Sequence, residues 1–390
     1  MGSFLSVIRS PQRRDVPEQG VNDMSETITA RGVISREPGA PGVVEEFLID
    51  PPGPGEALIR ILASGVCHTD LSAKNGVFGT EPFPWLLGHE GSGIVERVGE
   101  GVDNISVGDY VILAWRAPCG LCRFCQRGQL ELCANSLNAQ PRMKTMAGEQ
   151  LTPVLGIGTF CTHTVVHSRQ CIPVSADLPP AQMSLIGCGV MTGIGAAMYA
   201  GKVQPGDSVA VIGAGGVGDS AIMGAKIAGA TTIIAVDIDP RKLEWATSFG
   251  ATHTVNPRDG DAVEAIKAIT GGFGVNVAIE AVGRPETIET ALWSRDLAGR
   301  CVIVGVAGQD ARLDLPVAKF FDRGGSMSVS WYGDCLPTRD FPVLANWYAQ
   351  GTLDLDRVVT RTITLDEVDE AFHAMERGET LRSVVVFDNA

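Results

Sequence analysis

From about residue 30 to residue 180 the apolar positions come in short runs. EALIRIL, GSGIVERV, GDYVILA and TFCTHTVV are broken by Gly, Pro and Asp. Runs of this length between turn formers predict β-strands. From about Gly206 the texture changes. SVAVIG, TTIIAVD, THTVN, VNVAIEAV, RCVIVGV and MSVSWYG alternate with amphipathic stretches at 217–228, 240–249, 261–270 and 285–294. Six β runs separated by helices predict a doubly wound parallel sheet. After about Trp331 the pattern turns helical (FPVLANWYAQG, LDEVDEAFHAMERG) and closes on one β run, SVVVF. That tail is too small for a core of its own and is expected to return to the β-rich part. The expected divisions are therefore a disordered tail over 1–26, a β-rich domain over 27–189, an α/β domain over 190–331 and a returning segment over 332–390. No internal repeat interrupts this order.

Composition narrows the classes. The 390 residues carry 31 Lys and Arg against 45 Asp and Glu, a formal charge of −14. That balance argues against generic binding to nucleic acid or an anionic membrane, while leaving room for a local cationic pocket. No apolar run reaches the length of a membrane span. The N-terminus, MGSFLSVIRSPQRRDVPEQGVND, has no long apolar core of a secretory signal, and Met24 opens a second plausible start. The ten cysteines then sit most naturally in a reducing cytoplasm, ligating metal or remaining free.

Cys119, Cys122, Cys125 and Cys133 form a C-x2-C-x2-C-x7-C run. Four thiolates this close can close a tetrahedral shell on one Zn²⁺, leaving no open position, so the expected metal is structural. Two disulfides or an iron–sulfur cluster are the alternatives. Gly213, Ala214, Gly215, Gly216, Val217 and Gly218 follow the strand SVAVI and open a helix. Glycines there let backbone approach a pyrophosphate at a helix N-terminus. Asp237 ends the second strand of that unit. Its carboxylate suits ribose hydroxyls and would repel a 2′-phosphate, favouring NAD over NADP. Lys242, one turn further, either reaches the ribose or lies on a solvated face. Without a nucleotide, the glycines would be an ordinary turn of an α/β fold.

Three further candidates are scattered: Cys67 in GVCHTD, His89 in LLGHEGSG and Cys188 in GCGVMTG. Two thiolates and an imidazole would leave one position of a zinc shell open. Zinc can bring the pKa of a bound oxygen down to about 7, and the resulting alkoxide can release hydride to a nearby nicotinamide. Taken singly, each is as readily a buried Cys or a satisfied His.

Together, GVCHTD, LGHE, the four-cysteine loop, GCGV, GAGGVG, VDID and LRSVVVF resemble the zinc-dependent medium-chain alcohol dehydrogenases, from about Thr27 to the C-terminus. The resemblance implies a GroES-like β-rich catalytic domain beside a six-stranded Rossmann domain. It implies catalytic zinc on Cys67, His89 and Cys188, and structural zinc on the four-cysteine loop. It implies Glu90 as a transient ligand or neighbouring carboxylate, Asp70 orienting His89, and Thr69 passing the alcohol proton outward. His68 and Arg382 would contact the pyrophosphate, Thr192 would position the nicotinamide, and Val304 would line the cofactor site. Many relatives place a His five residues after the first cysteine ligand; here Ser72 stands there, so the relay would end on ribose and water or on His68.

Finer strings, WRAPCGLCRFCQRG, LNAQPRM, LGIGTF, GCGVMTGIGAA, AVGRPET and SWYGDCLPTRDFP, resemble the mycothiol-dependent formaldehyde dehydrogenases. That resemblance implies oxidation of S-(hydroxymethyl)mycothiol to S-formylmycothiol. It thins at Lys74–Glu81, KNGVFGTE. The stretch from about Ser136 to Pro153, with Arg142, Met143 and Lys144, is either a lid over the pocket or a surface insertion. A primary or aromatic alcohol dehydrogenase is the alternative, and a non-catalytic zinc-stabilised NAD-binding protein the alternative of another class. The expected partners are a small alcohol or thiol–formaldehyde adduct and further copies of the chain, without nucleic acid or membrane.

Overall fold

The computed structural model describes residues 26–77 and 82–387. The expected tail up to Ser25, with Met24, and the 78–81 portion of KNGVFGTE lie outside the described residues.

The β-rich half is built on two sheets. One runs in the order Met143–Thr145, Val43–Ile49, Ile28–Ser35, Trp85–Leu86, Thr152–Pro153. The other runs Cys171–Pro173, Tyr110–Leu113, Gly91–Val98, Glu56–Gly65, Arg382–Val386, Val359–Ile363, with His163–His167 also pairing Glu56–Gly65. Glu56–Gly65 is the hub: it is antiparallel to Gly91–Val98, to His163–His167 and to the C-terminal strand, with Val385 opposite Ser64. The C-terminal segment thereby places Arg382 beside the first half of the chain. The reading of a single closing β run is corrected here. VTRTI is also a strand, Val359–Ile363, parallel to Arg382–Val386. Its alternating exposure hides it in a helix-rich tail.

The third sheet is parallel, in the order His253–Val255, Thr232–Val236, Ser208–Ile212, Val275–Glu280, Arg295–Ile303, Ser326–Val329. Its central strands read as unbroken apolar runs because helices cover both faces. Val209, Ala210, Val211, Val277 and Ala278 are fully buried. Gly216–Ile227, Pro240–Phe249, Ala262–Ile269 and Pro285–Trp293 are the helices expected between the strands. The chain order folds back at Ser208–Ile212, the central strand, so the crevice above its C-terminal end lies between the two wings of the sheet.

A continuous helical stretch, Pro180–Ala200, joins the halves. It corrects one expectation: it is long and apolar enough to cross a membrane. It is instead a core helix, with 78% of its most apolar 18-residue window buried in the protein. Its apolar face is consumed by Leu185, Ile186, Val190, Met191 and Ile194, packed between the β-rich half and the parallel sheet.

Candidate active site

Cys67, His89 and Cys188 arrive on three different elements. Cys67 follows the hub strand and caps the N-terminus of the helix His68–Lys74. His89 and Glu90 precede the strand Gly91–Val98, held to the hub by the Gly65 N–H on the Glu90 carbonyl at 2.9 Å. Gly88 makes this turn possible: its φ is +94°, and a Cβ there would lie 2.2 Å from the Phe160 nitrogen. Cys188 does not sit in a turn. It lies in a π-helical stretch, Ile186–Val190, inside the joining helix. Single π-turns mark functional positions in helices because they displace side chains and carbonyls from the regular ladder. Its glycine neighbours let that helix press close, since a Cβ on Gly189 would meet the Arg382 guanidinium at 2.4 Å. The ligating atoms of Cys67, His89, Glu90 and Cys188 all lie within 4.8 Å of one another.

Asp70 orients the imidazole. Its Oδ1 is 2.9 Å from His89 Nδ1 and also accepts the Gly88 N–H at 3.0 Å, and both side chains are fully buried. This leaves His89 Nε2 buried and without a hydrogen-bond partner. Burial disfavours the charged ring, yet Asp70 and Cys67 outweigh it and hold His89 well above the ordinary imidazole value. The Cys188 thiol is the first reason Cys67 is held well below an ordinary thiol, with His89 and Arg382 helping against burial. Cys188 is pushed up in turn, first by the same contact. An orphaned imidazole nitrogen beside two sulfurs, one of them disposed to be a thiolate, is a donor set that fits Zn²⁺ with a position to spare.

Glu90 is tied on both oxygens. Oε2 pairs with Arg382, and Oε1 accepts the Gly189 N–H at 3.1 Å. Burial raises its carboxyl to about 7 despite Arg382. Arg382 also runs along the start of the helix Gly216–Ile227, where a Cβ on Gly216 would lie 2.7 Å from its Cδ. It therefore connects the metal-ligand cluster to the helix N-terminus expected to receive a pyrophosphate.

In the other cluster the sulfur separations are 3.6 Å for Cys122–Cys125, 3.6 Å for Cys133–Cys119 and 4.0 Å for Cys122–Cys133. Four sulfurs about 2.3 Å from one ion would lie about 3.8 Å apart. A disulfide needs about 2.05 Å, so the cysteines are free thiols in metal-site geometry. Backbone N–H groups already solvate them: Cys119 Sγ accepts from Leu121 and Cys122, and Cys133 Sγ from Cys119. Such donors, led by the Cys125 N–H, bring Cys122 down to about 6.

The glycine loop sits above the central strand, and Gly215 caps the helix Gly216–Ile227. No atom lies within 4 Å of a Cβ built on Gly215, which leaves a cradle for a phosphate. Asp237 is half-buried; its Oδ2 accepts the Ala214 N–H and its Oδ1 the Asp239 N–H, both at 2.9 Å. This fixes the carboxylate at the edge of the loop. The charges of Lys242 and Arg382 act on His68, whose imidazole is lowered first by burial and then by these two. Thr69 lies in the first turn after Cys67, Thr192 one turn beyond Cys188, and the Val304 N–H bonds the Glu280 carbonyl at 2.8 Å.

Of the two readings of Ser136–Pro153, a lid or a surface insertion, the contacts favour the second. Met143–Thr145 is an edge strand paired with Val43–Ile49, and Met143 is buried in the β-rich core. Arg142 bonds Glu56 at 2.8 Å and Lys144 bonds Asp50 at 3.2 Å. The segment is clamped to the scaffold rather than poised over the site. Two side chains escaped the sequence reading. Asp219, directly after the glycine motif, is fully buried with neither carboxylate oxygen partnered; a carboxylate on an apolar helix face was the available signal. Tyr332 lay inside a quoted string without a role.

The chain matches the family of zinc-binding dehydrogenases over residues 216–350 and the alcohol dehydrogenase GroES-like domain over 53–176. It is 35% identical over 366 residues to an S-(hydroxymethyl)glutathione dehydrogenase of Escherichia coli O1:K1 / APEC, covering 91% of this chain and 99% of that one. An alcohol dehydrogenase zinc-binding domain protein from Burkholderia ambifaria superposes with a TM-score of 0.89 at 34% identity, over 93% of this chain and 100% of that one. Benzyl alcohol dehydrogenase from Acinetobacter calcoaceticus gives 0.86 at 32% identity, over 92% and 99%. The chain belongs to the zinc-dependent medium-chain alcohol dehydrogenase family, and its cofactors are zinc and a nicotinamide dinucleotide.

Proposed function

We propose that the enzyme oxidises the adduct of formaldehyde with a low-molecular-weight thiol, mycothiol before glutathione, and passes the hydride to NAD. The reaction class rests on one observation: the buried, unpartnered His89 Nε2 facing two thiols beside a dinucleotide loop. Zinc held by Cys67, His89 and Cys188 would supply a Lewis acid for the substrate hydroxyl. The chain does the rest. Asp70 fixes the tautomer of His89. Thr69, two residues after Cys67, takes the hydroxyl proton and passes it outward, to ribose and water or to His68, and no histidine is assigned as the base. Ser72 ends no relay. Arg382, His68 and the N-terminus of Gly216–Ile227 receive the pyrophosphate, Thr192 and Val304 flank the nicotinamide side, and Asp237 with Lys242 receives the adenosine ribose. The negative Asp237 favours NAD over its 2′-phosphate analogue.

The substrate assignment rests on the resemblance of SWYGDCLPTRDFP and its companion strings, and on a relative that acts on the glutathione adduct. A thiohemiacetal carries a free hydroxyl, so the same geometry serves it. An aromatic alcohol is the second reading, favoured by the benzyl alcohol dehydrogenase among similar structures. NADH formation from NAD and formaldehyde, with and without mycothiol, beside glutathione and benzyl alcohol, decides between them. A rate that requires mycothiol supports the proposal; turnover of benzyl alcohol alone replaces it. Self-association is part of the same reading. The edge strand Ser326–Val329 is exposed along its length, and Val317 and Phe321 on the preceding helix Val317–Arg323 are 73% and 82% exposed. Ten free cysteines suit a reducing, cytoplasmic setting.

A further inference from the structure

Cys188 is flanked by two pinned peptides. On one side Glu90 holds the Gly189 N–H at 3.1 Å. On the other side the Tyr332 hydroxyl donates to the Gly187 carbonyl. The second contact joins residues 145 positions apart, since Tyr332 follows the last strand of the parallel sheet. Its ring is buried at 5% exposure, tilted against Trp115 at 4.3 Å and edge-on to Phe341 at 6.4 Å. The backbone that delivers it is unusual. Tyr332, Gly333 and Asp334 have φ of 56°, 68° and 52°, three successive left-handed residues of which two carry side chains. Side-chain-bearing residues adopt that region rarely, and strained turns persist where surrounding contacts over-determine them. Here the turn is jammed against the joining helix: a Cβ on Gly195 would lie 2.1 Å from the Gly333 carbonyl oxygen.

We propose that Tyr332 is a positioning residue for Cys188: its hydroxyl holds the Gly187 carbonyl and so fixes where the π-helical stretch presents the Cys188 sulfur. The inference rests on Cys188 being a ligand of the catalytic zinc. π-Turns inside α-helices are rare and occur frequently at functional sites. Gly189 is held from the β-rich half and Gly187 from the parallel-sheet half, so the sulfur is referenced to both. Trp115 continues the contact. Its neighbour Arg116 bonds the Cys133 carbonyl, which links the four-cysteine loop to the same aromatic cluster.

Tyr332→Phe keeps the ring and removes the donor. With Co²⁺ in the catalytic position, the thiolate-to-metal absorption should shift. The turnover number should fall about 10-fold with KM changed less, the mark of lost positioning rather than lost binding. Release of the catalytic metal to a chelator should quicken, with the loop metal unaffected. Para-aminophenylalanine at 332 restores a donor and should restore spectrum and rate; it also serves if Tyr332→Phe does not fold. An unchanged cobalt spectrum and rate, with or without a loss of thermal stability, overturns the proposal. Cys188→Ser is the control. If it retains its catalytic metal and turnover, the ligand assignment itself fails. If it loses both while Tyr332→Phe behaves as wild type, only the role of Tyr332 fails.

Discussion

Cys119, Cys122, Cys125 and Cys133 are carried by one loop and gather within 14 positions of sequence. Cys67, His89 and Cys188 are carried by a helix cap, a strand entry and a π-helical stretch, and only the tertiary fold brings them together. The loop uses four thiols and backbone N–H groups, with no oriented base and no neighbouring carboxylate pair. The dispersed cluster has an imidazole fixed by Asp70, an uncommitted Nε2 and a carboxylate tied to Arg382. A local shell closes on its ion and holds a loop. A dispersed shell with three thiol or imidazole donors holds an ion open to substrate and makes its geometry depend on the whole protein.

The sharpest break of this comparison is Cys67→Ser. It should abolish turnover and remove one metal per chain, while dinucleotide binding, followed by NADH fluorescence, and the fold by circular dichroism persist. Activity that survives would mean the dispersed cluster is not the reaction centre. Cys122→Ser should do the reverse. It should lose the loop metal and roughly 3 kcal/mol or more of stability. Turnover per folded molecule should fall less than in Cys67→Ser, and a wild-type melting curve would refute a structural role.

Smaller effects separate the cofactor half from both metal clusters. Asp237→Ala should lower the NAD-over-NADP ratio of kcat/KM roughly 10-fold or more, since the repulsion of a 2′-phosphate is removed. An unchanged ratio places the ribose elsewhere. Asp219→Leu tests a buried acid that neither metal cluster uses. Burial, with Asp237 adding and Lys242 opposing, holds the Asp219 carboxyl well above its ordinary value. A raised carboxyl stabilises the fold below the unfolded value near 3.8, and that contribution is lost as pH rises toward the folded value. Relative to wild type, Asp219→Leu should therefore gain stability as pH rises from about 4 to about 8, by roughly 1–3 kcal/mol. Urea unfolding without dinucleotide at both ends of that range checks the sign. A constant difference between the two proteins would show that Asp219 does not titrate with folding.

The same contrast explains what the sequence made legible. The four-cysteine loop, the glycine motif after SVAVI and the six alternating β runs are local patterns, so spacing and period expose them. Cys67, His89 and Cys188 were candidates by residue type and setting, and became one ligand set only through the resemblance, because nothing in their spacing records that three elements converge. The Glu90–Arg382 pair joins residues 292 positions apart. Arg382 was expected at the pyrophosphate, and its hold on Glu90 needed the pairing of the C-terminal strand with the hub. The strand Val359–Ile363 was missed because its polar alternation sits among helical segments. The helix Pro180–Ala200 was misjudged for a related reason: the glycines and Thr192 in GCGVMTGIGAA break the impression of a continuous apolar run. The clamp of Arg142 on Glu56 turned a long polar loop into scaffold, and no pattern within the loop signals that contact.

The central claim is that one cluster performs the chemistry and the other holds the fold. Zinc counted per chain during graded chelation, with NADH formation and melting temperature followed on the same samples, tests it most directly. The account predicts two zincs, the first removed with loss of turnover and little change in melting temperature, the second removed only with destabilisation. A single zinc per chain, or full turnover after the first has left, would contradict it.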